Sequence, residues 1–218
     1  MKRILSTEEI QFIDTYLENS DIVYADIRME MIDHIASDLE ERLTESKTLT
    51  FYEVFKDYMV ENKARFLKGN KQFIKSADRF ILSKFKQKIK SGTFVLLLIA
   101  FFGIIYFSLD KLSLDSIKNI IGYSPFFPLI PLFIIYFLLV DKFNLRRFSG
   151  IERLGFVYIA FFQFFNLCGI LVHKNLKSSP DLLYVSILLS AEILLGFLLI
   201  KVSLEVLSHY KKVYKLTS

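Results

Sequence analysis

Four apolar segments in the C-terminal part of the chain most constrain its fold. They lie at 93–109, 125–140, 154–172 and 182–200, and they contain almost no charged residues. A helix needs roughly 17 to 25 residues to cross the hydrocarbon core of a bilayer. The mean hydropathy of the chain, +0.39, also exceeds that of ordinary soluble domains. The sequence therefore predicts an all-α integral membrane protein with a bundle of four spanning helices.

The second apolar segment is the weakest of the four. It is short, and it contains Pro125, Pro128 and Pro131. Proline is tolerated in the first turn of a helix, but further along it removes a hydrogen bond and kinks the chain. We therefore expect a bend at Pro131. The alternative is a segment that enters the membrane without crossing it, or lies at its surface.

The distribution of basic residues predicts the orientation of the spans. Lysine and arginine are retained on the cytoplasmic side of a membrane. The stretch before the first span, the second connection and the C-terminal tail together hold 14 basic residues near the spans, against 4 in the first and third connections. Both termini are therefore expected to be cytoplasmic.

Acidic and basic residues are distributed unevenly in the part of the chain before the first predicted span. Residues 1–62 carry 15 acidic and 6 basic residues, whereas 63–90 carry 1 acidic and 10 basic. Nucleic-acid binding does not fit this pattern of an acidic N-terminal part, a basic connection and an apolar remainder. We predict an acidic cytoplasmic helical domain at 1–68, a basic amphipathic juxtamembrane helix at 69–92, a four-span domain at 93–207 and a cytoplasmic tail at 208–218.

The acidic domain is predicted to contain three helices. Ser6 with Glu9, and Thr50 with Glu53, have the capping-box spacing that marks a helix start. Between them, apolar residues recur every four positions and form the stripe of an amphipathic helix. The stripe consists of Ile27, Met31, Ile35, Leu39 and Leu43. Val54, Phe55, Tyr58 and Met59 share one face of the third helix.

The opposite face of the middle helix is acidic and is predicted to face a partner. Its members are Glu30, Asp33, His34, Asp38 and Glu41. Glu30, His34 and Asp38 stand one turn apart, so a metal site is an alternative, but hydrogen bonds and ion pairs along a solvated face account for them better. We predict no metal site and no other cofactor.

The juxtamembrane helix combines an aromatic-rich apolar face with lysines, a composition typical of helices in the membrane interface. Its last lysines are predicted to contact an anionic inner leaflet, where each is worth about 1 kcal/mol. They are Lys84, Lys86, Lys88 and Lys90. The alternative is an ordinary helix packed on the acidic domain with solvated lysines.

Standard catalytic signatures are not found in the sequence. It has no paired-histidine zinc motif, no phosphate-binding glycine loop with its lysine and no nucleophile elbow, and its single cysteine, Cys168, lies in an apolar run. We therefore predict no catalytic residues and a protein that is not an enzyme.

Glu192 is the residue that stands out within the membrane segments. It lies about ten residues into the fourth span, where an ionised carboxylate is costly and usually faces the bundle interior or a wet cavity. Antiparallel packing would bring Gln163 and Asn166 of the third span to a similar depth. We predict an intramembrane polar cluster of these three residues. Its role is either structural, as a contact between helices, or functional, as a proton or ligand site.

The stretch from Asp26 to Glu41, DIRMEMIDHIASDLEE, resembles the N-terminal helical part of some bacterial membrane proteins. The family is the helix-turn-helix-associated alpha-helical signalling domain, with the related permease-prefix domains. The resemblance covers about residues 5–65. It implies a signalling or regulatory protein of the bacterial inner membrane whose cytoplasmic helices meet another protein, and it implies no catalytic residue.

Two functions follow as hypotheses. The first is a non-enzymatic inner-membrane protein that acts by interaction, with the acidic domain contacting a protein partner or a second copy of the chain. The alternative is a small transporter, or a transporter subunit, that uses the polar site around Glu192.

Overall fold

The computed structural model describes residues 3–46, 48–140, 147–176 and 181–214. Within these ranges the regular structure is entirely helical, so the all-α prediction is confirmed. The helices are α1 (Thr7–Glu18), α2 (Ala25–Glu45), α3 (Phe51–Ile89), α4 (Gly92–Leu109), α5 (Leu114–Tyr123), α6 (Leu129–Ile134), α7 (Ser149–Asn175) and α8 (Leu182–Val213). A 3₁₀ turn at Ser124–Phe126 precedes α6, and a π-helical turn at Ile135–Val140 follows it.

The chain divides into two compact units. The head unit contains Met1–Asp78 together with Arg147–Gly150, and the membrane unit contains Arg79–Arg146 and Ile151–Ser218. Helix α3 therefore begins in the head unit and ends in the membrane unit. Helix α7 has its first two residues in the head unit and the rest in the membrane unit.

The core of the head unit forms where the sequence predicts it. The five members of the α2 stripe are all at most 4% exposed, and the predicted face of α3 is buried with them. The Ser6 capping box is complete, because Glu9 N–H donates to the Ser6 hydroxyl and Ser6 N–H donates to the Glu9 carboxylate. Helix α3 begins directly after Thr50, whose N–H and hydroxyl both donate to Glu53.

Helix α3 is longer than the sequence suggests. The predicted third helix and the juxtamembrane helix are one continuous helix of 39 residues. The segment between them contains no proline, and its one glycine, Gly69, lies within the helix beside Met31, so the helical hydrogen bonding continues through it.

Among the described residues of the membrane unit, three helices are long and apolar enough to span a bilayer. They are α4, α7 and α8, with 18, 27 and 32 residues. These helices confirm the first, third and fourth predicted segments as apolar helices.

The second predicted segment is not a single helix. Its residues form the 3₁₀ turn, α6 and the π-helical turn, with an interruption at Phe127 and Pro128. The expectation of a bend at Pro131 was wrong about the position. Pro131 lies in the first turn of α6, where a missing N–H costs nothing, and the break comes before it.

The C-terminal part of α8 contacts the end of α3 through two side-chain pairs. At 1.5 Å per residue, 32 residues extend about 48 Å, well beyond a hydrocarbon core of about 30 Å. Beyond the apolar stretch, Glu205 pairs with Lys88 and the His209 ring lies 4.8 Å from the Phe80 ring, centroid to centroid. Two side chains near the end of α3, Phe80 and Lys88, thus contact α8, and neither sequence alternative included these contacts.

Candidate functional site

Glu192 is buried inside the membrane unit. Its side chain lies on α8, and the residue is only 2% exposed. The Oε2 atom is 2.7 Å from the hydroxyl of Ser124, the first residue of the 3₁₀ turn. The Oε1 atom is also buried, and it has no hydrogen-bond partner within the part of the chain that the structure describes. Only half of this carboxyl group is therefore satisfied.

The Ser124 hydroxyl also lies 3.3 Å from the carbonyl oxygen of Ile121. Its single hydrogen can serve only one acceptor at a time. When Glu192 is ionised, Ser124 donates to Oε2. When Glu192 is protonated on Oε2, that group can donate to Ser124, which then donates to Ile121. The local geometry is compatible with both the ionised and the protonated state of Glu192. In each state, no group among the described residues donates a hydrogen bond to Oε1.

A cavity of about 420 Å³ lies beside this carboxyl group. Its polar lining residues are Ser124 and Glu192, and the other described residues around it are apolar or glycine. They are Phe127, Pro128, Ile130, Pro131, Ile193, Gly196, Phe197 and Ile200. Concave apolar pockets with a few convergent polar groups are typical of small-molecule sites.

The predicted polar cluster is not assembled as expected. Asn166 is half-buried on α7, and Gln163 is exposed to the outside of the unit, while the buried Glu192 bonds Ser124 instead. The prediction considered only the positions of these residues along their spans, and in an almost uniformly apolar helix the pattern does not determine which side faces inward. A signal for Ser124 did exist. Ile117, Ile121 and Ser124 follow the i, i+4, i+7 spacing of one helical face, and both isoleucines are 1% exposed.

The acidic face of α2 is on the surface of the head unit. Glu30, Asp33, His34, Asp38 and Glu41 are all exposed. His34 Nε2 lies 4.0 Å from Glu30 Oε1, and Asp38 accepts a hydrogen bond of 2.6 Å from the Tyr58 hydroxyl. Within the described residues no group of three or more potential ligands is placed to hold a metal ion.

The bond to Asp38 connects this face to the core of the head unit. Burial raises the pKa of the Tyr58 hydroxyl, and the hydrogen bond to the Asp38 carboxylate raises it further. Tyr58 is 3% exposed, so its phenol holds Asp38 at a fixed place on the surface.

Two buried charges at the start of α2 were not singled out from the sequence. Asp26 accepts hydrogen bonds from the backbone N–H and from the hydroxyl of Ser149, the first residue of α7. That N–H is one of the donors that a helix leaves unpaired at its start, and a negative charge is favourable there. Asp26 therefore caps α7 from within the head unit. No spacing rule could have connected residues 123 positions apart.

Arg28 is the second buried charge. Its Nε lies 2.6 Å from Asp14, and its Nη1 donates to the carbonyl oxygens of Ile22 and Val23. These bonds join α1, the turn after it and the first turn of α2. The guanidinium therefore fixes the geometry in which Asp26, two residues earlier, is presented.

Arg147 adds two contacts to the same region. Its backbone carbonyl accepts a bond of 2.9 Å from Ala25 N–H, and its guanidinium lies 2.7 Å from Glu18. Arg147 has a φ of 67°, in the left-handed region that costs a non-glycine residue roughly 1 to 2 kcal/mol. The surrounding contacts hold the strained backbone in place.

The four lysines predicted to meet the membrane surface have different environments. Lys86 and Lys90 are exposed. Lys84 Nζ lies 5.5 Å from the centre of the Phe80 ring, and Lys88 forms the ion pair with Glu205. Two of the four thus have contacts inside the membrane unit.

Comparison with known proteins gives no match: no family model, no curated protein and no solved structure is significantly similar to this chain.

Proposed function

We propose that this chain is a non-enzymatic, multi-pass protein of the bacterial inner membrane whose cytoplasmic head recognises a protein partner. The arrangement of helix α2 is the observation that supports this proposal. Its exposed face presents Glu30, Asp33, Asp38 and Glu41, while its first turn supplies Asp26 to the start of α7. One rigid helix thus connects a charged recognition surface to the first residue of an apolar spanning helix.

The charge on α2 indicates the chemistry of the partner. Asp33 and Glu41 are exposed, and neither lies within ion-pair distance of a basic side chain among the described residues. A surface of one sign attracts a partner of the opposite sign and steers its approach. The partner is therefore a protein with a basic surface. The resemblance of residues 26–41 to bacterial signalling and permease-prefix domains is consistent with this role.

Binding at α2 can influence the membrane unit through α7. A partner that favours one position of α2 also favours one position of Asp26, which holds Ser149 by two hydrogen bonds. A bound protein changes a conformational equilibrium only through its different affinity for two states. The Asp26 cap is the contact at which that difference would reach α7.

A fourth crossing and two cytoplasmic ends are part of the proposal. Lys88, just before α4, pairs with Glu205 near the end of α8. The beginning of α4 and the end of α8 are therefore on the same side of the membrane unit. An even number of crossings satisfies that arrangement, and the segment 125–140 provides the additional one. The basic residues of these ends would then face the anionic inner leaflet.

The test is in-cell cross-linking of the full chain through a photoreactive residue at position 37, on the exposed acidic face. The variant Asp33→Asn/Glu41→Gln should reduce the cross-linked partner at least tenfold. The control Glu8→Gln/Asp57→Asn removes the same charges from exposed positions elsewhere on the head and should leave it unchanged. Equal cross-linking in both double variants would contradict the proposal.

Transport is the second candidate function. The unpartnered Oε1 of Glu192 beside an apolar cavity favours it, because a carrier needs a site inside the membrane. The two functions separate experimentally. Glu192→Gln should abolish a flux and leave partner cross-linking intact, whereas Asp33→Asn/Glu41→Gln should do the reverse.

A further inference from the structure

We propose that the cavity beside Glu192 binds an apolar molecule carrying a cationic amine, with the amine at Oε1 of Glu192. The inference does not depend on the partner proposed for the head, and it holds whether the bound molecule is carried across the membrane or remains in place. It rests on the unsatisfied carboxyl oxygen, the charge of the lining and the shape of the cavity.

The carboxyl group requires a donor. Oε1 of Glu192 is buried without a partner, and the described structure uses the neighbouring Ser124 hydroxyl at Oε2. A buried polar atom left without a hydrogen bond costs about 1 to 3 kcal/mol, so such atoms are normally paired. A ligand with an N–H group at Oε1 would complete the site.

The lining favours a cation over a neutral donor. None of the described residues around the cavity is basic, so an ionised Glu192 has no charge partner there. A buried carboxylate is tolerated when an opposite charge lies against it. An ammonium group supplies both that charge and the missing donor. Two aromatic rings in the lining, Phe127 and Phe197, can also face a cation.

The rest of the cavity lining favours a ligand that is apolar apart from its amine. Phe127 is 72% exposed and Phe197 is 62% exposed, so these two side chains of the lining face the lipid when the unit lies in a bilayer. A volume of about 420 Å³ lies within the range of small-molecule pockets, roughly 300 to 1,000 Å³. A lipophilic amine dissolved in the hydrocarbon phase can reach the site directly from that side.

The test uses probes matched in shape. The full chain is purified in nanodiscs, and 1-adamantylamine is compared with 1-adamantanol, and n-octylamine with n-octanol. Binding is measured directly by calorimetry. At least one amine should bind tenfold or more tightly than its matched alcohol.

Two variants distinguish the site from partition into the lipid. Glu192→Gln keeps the size of the side chain and removes its charge, so calorimetric binding of the amine should weaken at least tenfold while the unfolding temperature stays close to that of the parent. Ser124→Ala removes the partner of Oε2 and keeps the carboxylate, so it should still bind the amine. Equal binding of amine and alcohol, binding that survives Glu192→Gln, or no binding of either amine would overturn the proposal.

Discussion

The carboxylate of Asp26 and the first residue of α7, Ser149, are joined by two hydrogen bonds across 123 positions of sequence. One bond satisfies the backbone N–H and the other satisfies the hydroxyl. Both residues are buried, at 6% and 2% exposure, so water cannot replace these bonds. The contact gives α7 a start that is determined by the head unit.

Removing the Asp26 carboxylate should loosen the start of α7. Asp26→Ala removes the carboxylate that accepts both bonds from Ser149, which should cost about 2 kcal/mol and correspond to roughly 30-fold faster amide exchange at residues 153–156, the first intrahelical donors of α7, if exchange follows local opening. Asp26→Asn keeps an acceptor for the N–H and loses the charge, so exchange should increase less. Ser149→Ala removes one bond and should fall between the parent and Asp26→Ala. Unchanged exchange in Asp26→Ala would show that the cap does not hold the helix.

Arg28 and Asp14, the nearer of its two ion-pair partners, should differ strongly in their effect on stability. Arg28→Ala leaves the carbonyl oxygens of Ile22 and Val23 without their donor, as well as removing the charge beside Asp14, and should cost about 3 kcal/mol. Asp14→Asn should cost about 1 kcal/mol or less, because the Asp14 side chain is 40% exposed and Arg28 keeps its carbonyl bonds. Thermal unfolding of the detergent-solubilised chain measures both. Equal losses would indicate that the ion pair, and not the carbonyl contacts, is the main contribution.

The head unit should lose stability in alkali through Tyr58. Burial, with the hydrogen bond to Asp38, raises the pKa of this phenol in the folded state above its ordinary value of about 10. A raised folded pKa means that the contribution is complete below pH 10 and is lost as the pH rises towards the folded value. Tyr58→Phe should therefore be less stable than the parent at pH 8, and the difference should shrink above pH 10.

Denaturant unfolding of the full chain between pH 8 and pH 11 measures the Tyr58 effect. Tyr52→Phe removes an exposed phenol from the same helix and is the matched control. A difference between Tyr58→Phe and the parent that stays constant over this range would contradict the assignment.

The sequence predicts well the structural features that depend on a regular spacing of residues close together in the chain. The α2 stripe from Ile27 to Leu43 and the Ser6 capping box depend on residues three or four positions apart, and the structure contains both. The length of an apolar run also predicts α4, α7 and α8. This signal is local as well, because a spanning helix forms all its backbone hydrogen bonds within its own segment.

The features that the sequence did not predict depend on how helices rotate and on distant contacts. Glu192 is buried as expected, but Ser124, and not Gln163, is its partner, because an apolar helix in lipid has little periodic contrast to define its inner side. The pairing of Lys88 with Glu205 joins two ends of the membrane unit that lie 117 positions apart. Such contacts follow from packing, which the pattern of one segment does not encode.

The topology can be decided by whether positions 86 and 212 lie on the same side of the membrane. Three crossings by α4, α7 and α8 would place them on opposite sides, whereas a fourth crossing by residues 125–140 places both in the cytoplasm. Both positions are exposed, as is position 115 in the first connection. Single cysteines are introduced at each in a Cys168→Ser background and treated with a membrane-impermeant maleimide. In intact spheroplasts position 115 should react, while 86 and 212 should react only after permeabilisation. Labelling of 86 and 212 from opposite sides would support three crossings. Lys88 and Glu205 would then lie on opposite sides of the membrane and could not form their ion pair.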